Sequence, residues 1–170
     1  MTKRKIILNL ATSLDCFIEW TNWEYDWCFT DQDYGFKDFI ESIDTIFMWK
    51  KSYELFKTDV ESNFPWKKII VFSTTLQDDS VEIIRENIRE YINKLKSEEW
   101  KNIWMFGWAK LSESLMKLEL IDEIQMAIHP LILWGWTPLF HTSEKRIELE
   151  LIENTDYSSW MVILRYDIKY

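Results

Sequence analysis

The apolar positions along the chain follow two alternating spacings. "KIILNLATSL" (5–14) alternates and is β-rich, which predicts an inner strand. "DYGFKDFIES" (33–42) instead carries Tyr34, Phe36, Phe39 and Ile40 at helical spacing. "DTIFM" (44–48) is then a short buried strand and "KKSYELFK" (50–57) a helix. The unbroken apolar run in "KIIVFSTT" (68–75) predicts a central strand covered on both faces. "SVEII" (80–84) makes another strand, and "ENIREYINKLKSEE" (86–99) a helix with Ile88, Tyr91, Ile92 and Leu95 on one face. "KNIWMF" (101–106), "AKLSESLMKL" (109–118) and "EIQMAIHPLIL" (123–133) continue as strand, helix and long strand. "RIELELIEN" (146–154) and "SWMVILRYDI" (159–168) have no helix between them and predict an antiparallel end to the sheet. The fold class is therefore α/β, a layered and mostly parallel sheet, and residues 1–170 form a single domain without linker, repeat or low-complexity stretch.

Charge narrows the partners. A net charge of -9 with no basic cluster argues against nucleic acid. No run approaches the roughly 20 apolar residues of a membrane helix, and the basic start is followed by too short an apolar segment to be a signal. The expectation is a soluble, cytoplasmic protein with no membrane partner. Cys16 and Cys28 form no disulfide framework, His129 and His141 lie far from a cysteine pair, and no structural metal site is expected.

In open sheets of this kind ligands bind beyond the carboxyl ends of strands. Three such ends read "MWKKSYE" (48–54), "FSTT" (72–75) and "FGWAKL" (106–111). Lys50, Lys51 and Ser52 open one helix, Ser73 to Thr75 supply hydroxyls, and Gly107 lets the chain turn into a helix start, where free N–H groups favour an anion. Together they suit a phosphate-bearing cofactor.

These stretches carry a resemblance. "ATSLDCFIE", "MWKKSYE", "VFSTT", "IWMFGW" and "LIDEIQMAIHPLILWGWTPLF" follow one another in the order and spacing of the dihydrofolate reductase-like group that includes the reductase domain of bifunctional riboflavin-biosynthesis proteins. The resemblance runs almost end to end. It implies a dihydrofolate reductase-like three-layer fold and an NADPH-dependent reductase delivering hydride to a C=N or C=O bond of a small pterin- or pyrimidine-like heterocycle. A nucleotide-binding domain of this fold without turnover is the alternative. The resemblance also implies roles. Gly107, Trp108 and Ala109 would meet the pyrophosphate, Trp49, Lys50, Lys51 and Ser52 the adenosine-side phosphates, and Ser73 and Thr74 the ribose 2′-phosphate. Ala11 and Thr12 would line the nicotinamide site. Asp15 would face nicotinamide and substrate as a hydrogen-bonding or proton-relaying carboxylate, with an Asx turn in "SLDC" as its structural reading. Lys50 and Thr74 stand where arginine is frequent, which loosens the expected preference for NADPH over NADH. No deaminase segment with zinc-ligand spacing is present, and a homodimer through sheet edges is expected.

Against the family pattern Trp49, Trp108, Trp134 and Trp136 occupy glycine positions, and Trp20, Trp23, Trp66, Trp100 and Trp160 fall where turns usually carry glycine. Trp27 and Trp104 match tryptophans that the family often has. The chain has 3 glycines and 11 tryptophans, whereas ordinary usage of about 7% predicts roughly 12 glycines at this length. We read the nine displaced tryptophans as UGA-encoded glycines rendered as tryptophan. An aromatic ligand platform, core anchors, or a functional, cofactor-free tryptophan chain are the other readings. Left-handed backbone at such residues is expected to cost roughly 1–2 kcal/mol each, and indoles at Trp49 and Trp108 are expected to narrow the cofactor cleft. Cys16 also occupies a usual glycine position, which recoding does not explain.

Overall fold

The computed structural model describes residues 4–19, 24–98, 100–107, 109–135, 137–141 and 145–170. Trp20, Trp23, Trp108 and Trp136 lie outside the described residues, as do the side chains at 109 and 110.

The elements run in chain order as β1 (Ile6–Ser13), β2 (Phe17–Glu19), α1 (Phe36–Ser42), β3 (Ile43–Trp49), α2 (Lys50–Asn63), β4 (Lys68–Phe72) and β5 (Glu82–Ile84). They continue as α3 (Ile88–Lys96), β6 (Asn102–Met105), α4 (Ala109–Lys117), β7 (Glu123–His129), β8 (Thr137–Pro138), β9 (Glu148–Asp156) and β10 (Val162–Lys169). The main sheet has eight strands in the order β5-β4-β3-β6-β1-β7-β10-β9. β5 through β7 pair in parallel, while β10 runs antiparallel to both β7 and β9. The expected α/β sheet with an antiparallel end is therefore present.

Continuous apolar runs bury both faces of the sheet. Ile6 and Leu8 join one cluster with Phe47, Ile70 and Phe72, covered by Ile92 and Leu95 of α3 and by Leu111 and Leu115 of α4. Ile7 points the other way, with Ile46, Met48, Val71 and Trp104, under Phe39 of α1 and Tyr53 and Val60 of α2. A strand's period of two sends neighbours to opposite faces, and helices on each side remove both from water.

Two elements depart from the expected pattern. The long strand through Leu133 stops at His129, because Pro130 has no N–H to continue the ladder. The chain then turns aside, and Leu131 pairs instead with Leu14, whose N–H donates to its carbonyl at 2.9 Å. β2 and β8 form a separate antiparallel pair too short to announce itself by periodicity.

The tryptophans divide sharply. Trp104 is 6% exposed, whereas Trp134 and Trp160 are 88% and 81% exposed. Trp134 and Trp160 hold left-handed backbone at φ 61° and 63°. Trp49 does not: its φ of -84° and ψ of 154° are ordinary extended values, so the left-handed cost expected there is absent. Cys16 shares the left-handed geometry at φ 63° and is exposed, which gives a backbone reason for glycine at that position. Relieving about 1–2 kcal/mol of left-handed strain per site, less the roughly 0.5–1 kcal/mol that glycine costs through the unfolded chain, makes a net gain. The triple variant Cys16→Gly, Trp134→Gly, Trp160→Gly is expected to raise the unfolding free energy by about 1.5–3 kcal/mol. Urea denaturation checks it; no gain would mean that the three residues are packed more favourably than their exposure indicates.

Candidate functional site

β3, β4 and β6 are neighbours in the sheet and run parallel, so their carboxyl ends lie together. β3 passes directly into α2 at Lys50, and no side chain caps that helix, leaving first-turn N–H groups open to an anion. Lys50 Nζ donates to Thr75 Oγ1 at 3.1 Å, linking the β3 and β4 ends. Ser73 Oγ accepts the N–H groups of Thr75 (3.1 Å) and Leu76 (2.9 Å), which folds the loop after β4 into a tight turn. Arg85, just past β5, donates to the Leu76 carbonyl at 2.8 Å. The sequence pattern did not single out this guanidinium, which stands beside Ser73 and Thr74.

After β6 the chain turns at Gly107, whose φ is +103°, and α4 follows from Ala109. A Cβ on Gly107 would overlap Ser52 Oγ and approach Ser52 Cβ to 3.0 Å. Ser52 is buried, so the β3 and β6 ends meet in a cradle that only glycine permits. Lys51 is exposed, and its charge acts on the buried Glu19 carboxyl, which burial pushes upward against a hydrogen bond from Thr137.

Beside this cradle lies a cavity of about 580 Å³ that Gly107 and Ala11 both line. Its walls are largely aromatic, including Tyr25, Phe36, Phe56, Trp104 and Phe106. Trp49, Lys50, Lys51, Ser52, Ser73 and Thr74 are not among the lining residues. Thr12 is fully buried, and its hydroxyl donates to the Phe17 carbonyl at 3.2 Å. His129 lines the cavity, where Nε2 accepts the Phe29 N–H at 3.1 Å and Nδ1 faces the Ala127 carbonyl at 3.1 Å. That pairing requires the neutral ring with its proton on Nδ1. Burial holds the His129 pKa below its usual value, against backbone hydrogen bonds to Ala127 and Thr12. The edges of Trp27 and Phe29 pack on the same ring, at 5.2 and 5.0 Å between centroids.

Asp15 does not line the cavity. Its carboxylate accepts Ser13 Oγ at 2.6 Å, Leu133 N–H at 3.1 Å and Trp134 N–H at 2.9 Å. Burial pushes this carboxyl up, but the hydrogen bonds from Ser13, Leu133 and Trp134 outweigh it and hold the pKa below the usual carboxylate value. The loop that begins "LILW" is thus tied back to the end of β1 through Asp15.

Comparison with known proteins agrees with this architecture. Residues 4–163 match the family model described as the RibD C-terminal domain. The chain is 39% identical over 180 aligned positions to the uncharacterized protein YyaP of Bacillus subtilis, covering 98% of this chain and 96% of that one. Among solved structures, a diaminohydroxyphosphoribosylaminopyrimidine deaminase/5-amino-6-(5-phosphoribosylamino)uracil reductase of Thermotoga maritima superposes with a TM-score of 0.76 at 8% identity, over 97% of this chain and 56% of that one. Dihydrofolate reductase of Enterococcus faecalis, complexed with NADP(H), superposes with a TM-score of 0.69 at 12% identity, over 98% and 97%. These structural likenesses establish a dihydrofolate reductase-like fold, and the match over nearly the whole chain shows that this protein belongs to the RibD C-terminal domain family.

Proposed function

We propose that the protein is an NADPH-dependent reductase that transfers hydride to a C=N or C=O bond of a pterin- or pyrimidine-like heterocycle. The observation that carries this reading is the junction at Gly107, which belongs both to the glycine-only cradle at the strand ends and to the lining of the aromatic cavity. A cofactor stretched over the strand ends would reach an acceptor in the cavity at that point.

The residues present fit the group. The turn at Gly107 and the start of α4 at Ala109 would hold the pyrophosphate; Trp108, named with them from the sequence, lies outside the described residues. The open start of α2 at Trp49, Lys50, Lys51 and Ser52 would hold adenosine-side phosphate. Ser73, Thr74 and Arg85 would surround the ribose 2′-phosphate, and Ala11 the nicotinamide; Thr12, fully buried, would only support that wall from behind. When bound, the dinucleotide supplies hydride to the acceptor carbon; a proton from solvent on the adjoining nitrogen or oxygen completes the reduction. Asp15 serves as a positioning residue, because its three hydrogen bonds fix the 131–134 loop against β1. We extend the proposal to a cytoplasmic homodimer joined at the β9 edge, supported by exposed Leu149, Leu151 and Ile152. Among the described residues no helix is long and apolar enough to cross a membrane.

Titration calorimetry tests the cofactor assignment. NADPH is expected to bind, more tightly once Trp49 and Trp108 are replaced by glycine, and Lys50→Ala to weaken it by about 1–3 kcal/mol, the range for a hydrogen bond to a charged group. Arg85→Ala is expected to cost NADPH a similar amount while leaving NADH affinity nearly unchanged, since only the former has a 2′-phosphate to pair with a guanidinium. Absence of NADPH heat would remove the assignment.

A further inference from the structure

The reductase reading leaves the acceptor undefined, and the cavity floor narrows it. β1 and β7 pair in register there, Asn9 opposite Gln125 and Ala11 opposite Ala127, and all four residues line the cavity. Strands in such a pair lie about 4.8 Å apart, so the two amide side chains arise side by side. Neither has a hydrogen-bond partner among the described residues. Each offers an NH₂ with two donors and a carbonyl acceptor. The alanine pair beside them contributes only methyl groups, leaving room for a flat ring between aromatic walls.

The described lining of the cavity carries charge of one sign. Among the described lining residues Asp33 is a carboxylate and none is lysine or arginine. Nearby cations are engaged elsewhere: Lys57 Nζ with Asp78 at 2.8 Å, and Arg165 with Glu123 at 2.7 Å and Glu153 at 2.5 Å. His129 is held neutral by the N–H it accepts from Phe29. A phosphate held against the floor would be desolvated without a counter-charge among the described lining residues, which is unfavourable.

We infer that the acceptor is a neutral, unphosphorylated pyrimidine or pteridine whose amide-like edge is read by Asn9 and Gln125. This rests on the reductase reading. It separates the chain's substrate from the phosphoribosyl compound named for the Thermotoga maritima protein.

Calorimetry on the full chain with NADP⁺ present tests it with two matched pairs: 5-amino-6-ribosylaminouracil against its 5′-phosphate, and 7,8-dihydroneopterin against its monophosphate. In at least one pair the neutral member is expected to bind, and its phosphate to bind at least about tenfold more weakly. The shape-conserving double variant Asn9→Leu, Gln125→Leu is expected to weaken the neutral member at least about tenfold, with circular dichroism confirming a folded chain. If that variant does not fold, the matched pairs still decide. A phosphorylated member binding as tightly as its neutral partner, or no binding within either pair, overturns the inference. A separate titration with NADPH alone reports on the reductase reading: cofactor heat without this acceptor preference leaves that reading intact, whereas absent cofactor heat removes both.

Discussion

Replacement of Trp104 by alanine is expected to destabilise the protein by about 3–5 kcal/mol, the range for deleting a large buried aromatic. The indole is 6% exposed and meets Phe36, Phe39, Phe64 and Phe106 edge to face, with centroids 5.7, 5.5, 6.0 and 4.9 Å away. It therefore joins α1, the end of α2 and β6 in one aromatic cluster. Its Nε1–H also donates to the Asn9 carbonyl at 3.1 Å, so removal leaves a cavity and an unpaired acceptor in β1. Trp104→Phe separates the two effects: it keeps a ring and loses the N–H, and should cost about 1–2 kcal/mol. Urea unfolding of both variants measures the difference. Near-equal stability of wild type and Trp104→Ala would mean that the cluster collapses around the gap.

Gly107→Ala is expected to weaken NADPH by at least about a hundredfold. At φ +103° an alanine lies outside the backbone regions open to side chains, and its Cβ would overlap Ser52 Oγ. Ser52 is buried at the start of α2, so either that helix or the turn into α4 must shift. Both are surfaces on which the proposed cofactor lies. Ser52→Ala removes the overlapping oxygen but not the backbone strain, so the Gly107→Ala, Ser52→Ala double variant should recover little affinity. Calorimetry reads all three proteins, and unchanged NADPH affinity in Gly107→Ala would put the cofactor elsewhere.

The fold was largely legible because both periods are strong. "IIVF" and "IIL" could form apolar runs only in strands covered on two sides, and the Ile88, Tyr91, Ile92, Leu95 face could serve only a helix on that cover. Pro130 shortened β7 against expectation because the apolar pattern runs on through Leu133, while pairing depends on an N–H that proline lacks. The site was less legible. Lys50, Ser73 and Gly107 stand at strand ends, where position alone marks them. Asn9 and Gln125 sit inside strands, and a lone polar residue in an apolar strand does not reveal which groove it faces. Arg85 gained its place from the sheet order, which brings β5 beside β4. Asp15 was marked by its position at the end of β1, but its donors, Leu133 and Trp134, come from 118 and 119 residues away in sequence. Of the five displaced tryptophans that the structure describes, Trp134 and Trp160 hold left-handed backbone, whereas Trp49, Trp66 and Trp100 do not.

The register of β1 on β7 bears on how such a site changes over evolutionary time. Asn9 and Gln125 are carried by two interior strands, each hydrogen-bonded on both sides. A shift of one residue in either strand would turn its whole apolar set to the wrong face, so the floor cannot adapt by sliding. If the acceptor lies on this floor as proposed, new acceptors must be reached by exchanging side chains on a fixed backbone, with positions 9, 11, 125 and 127 as available steps. On that proposal, a few substitutions at these two rungs would change what this fold accepts without any change in the loops around them.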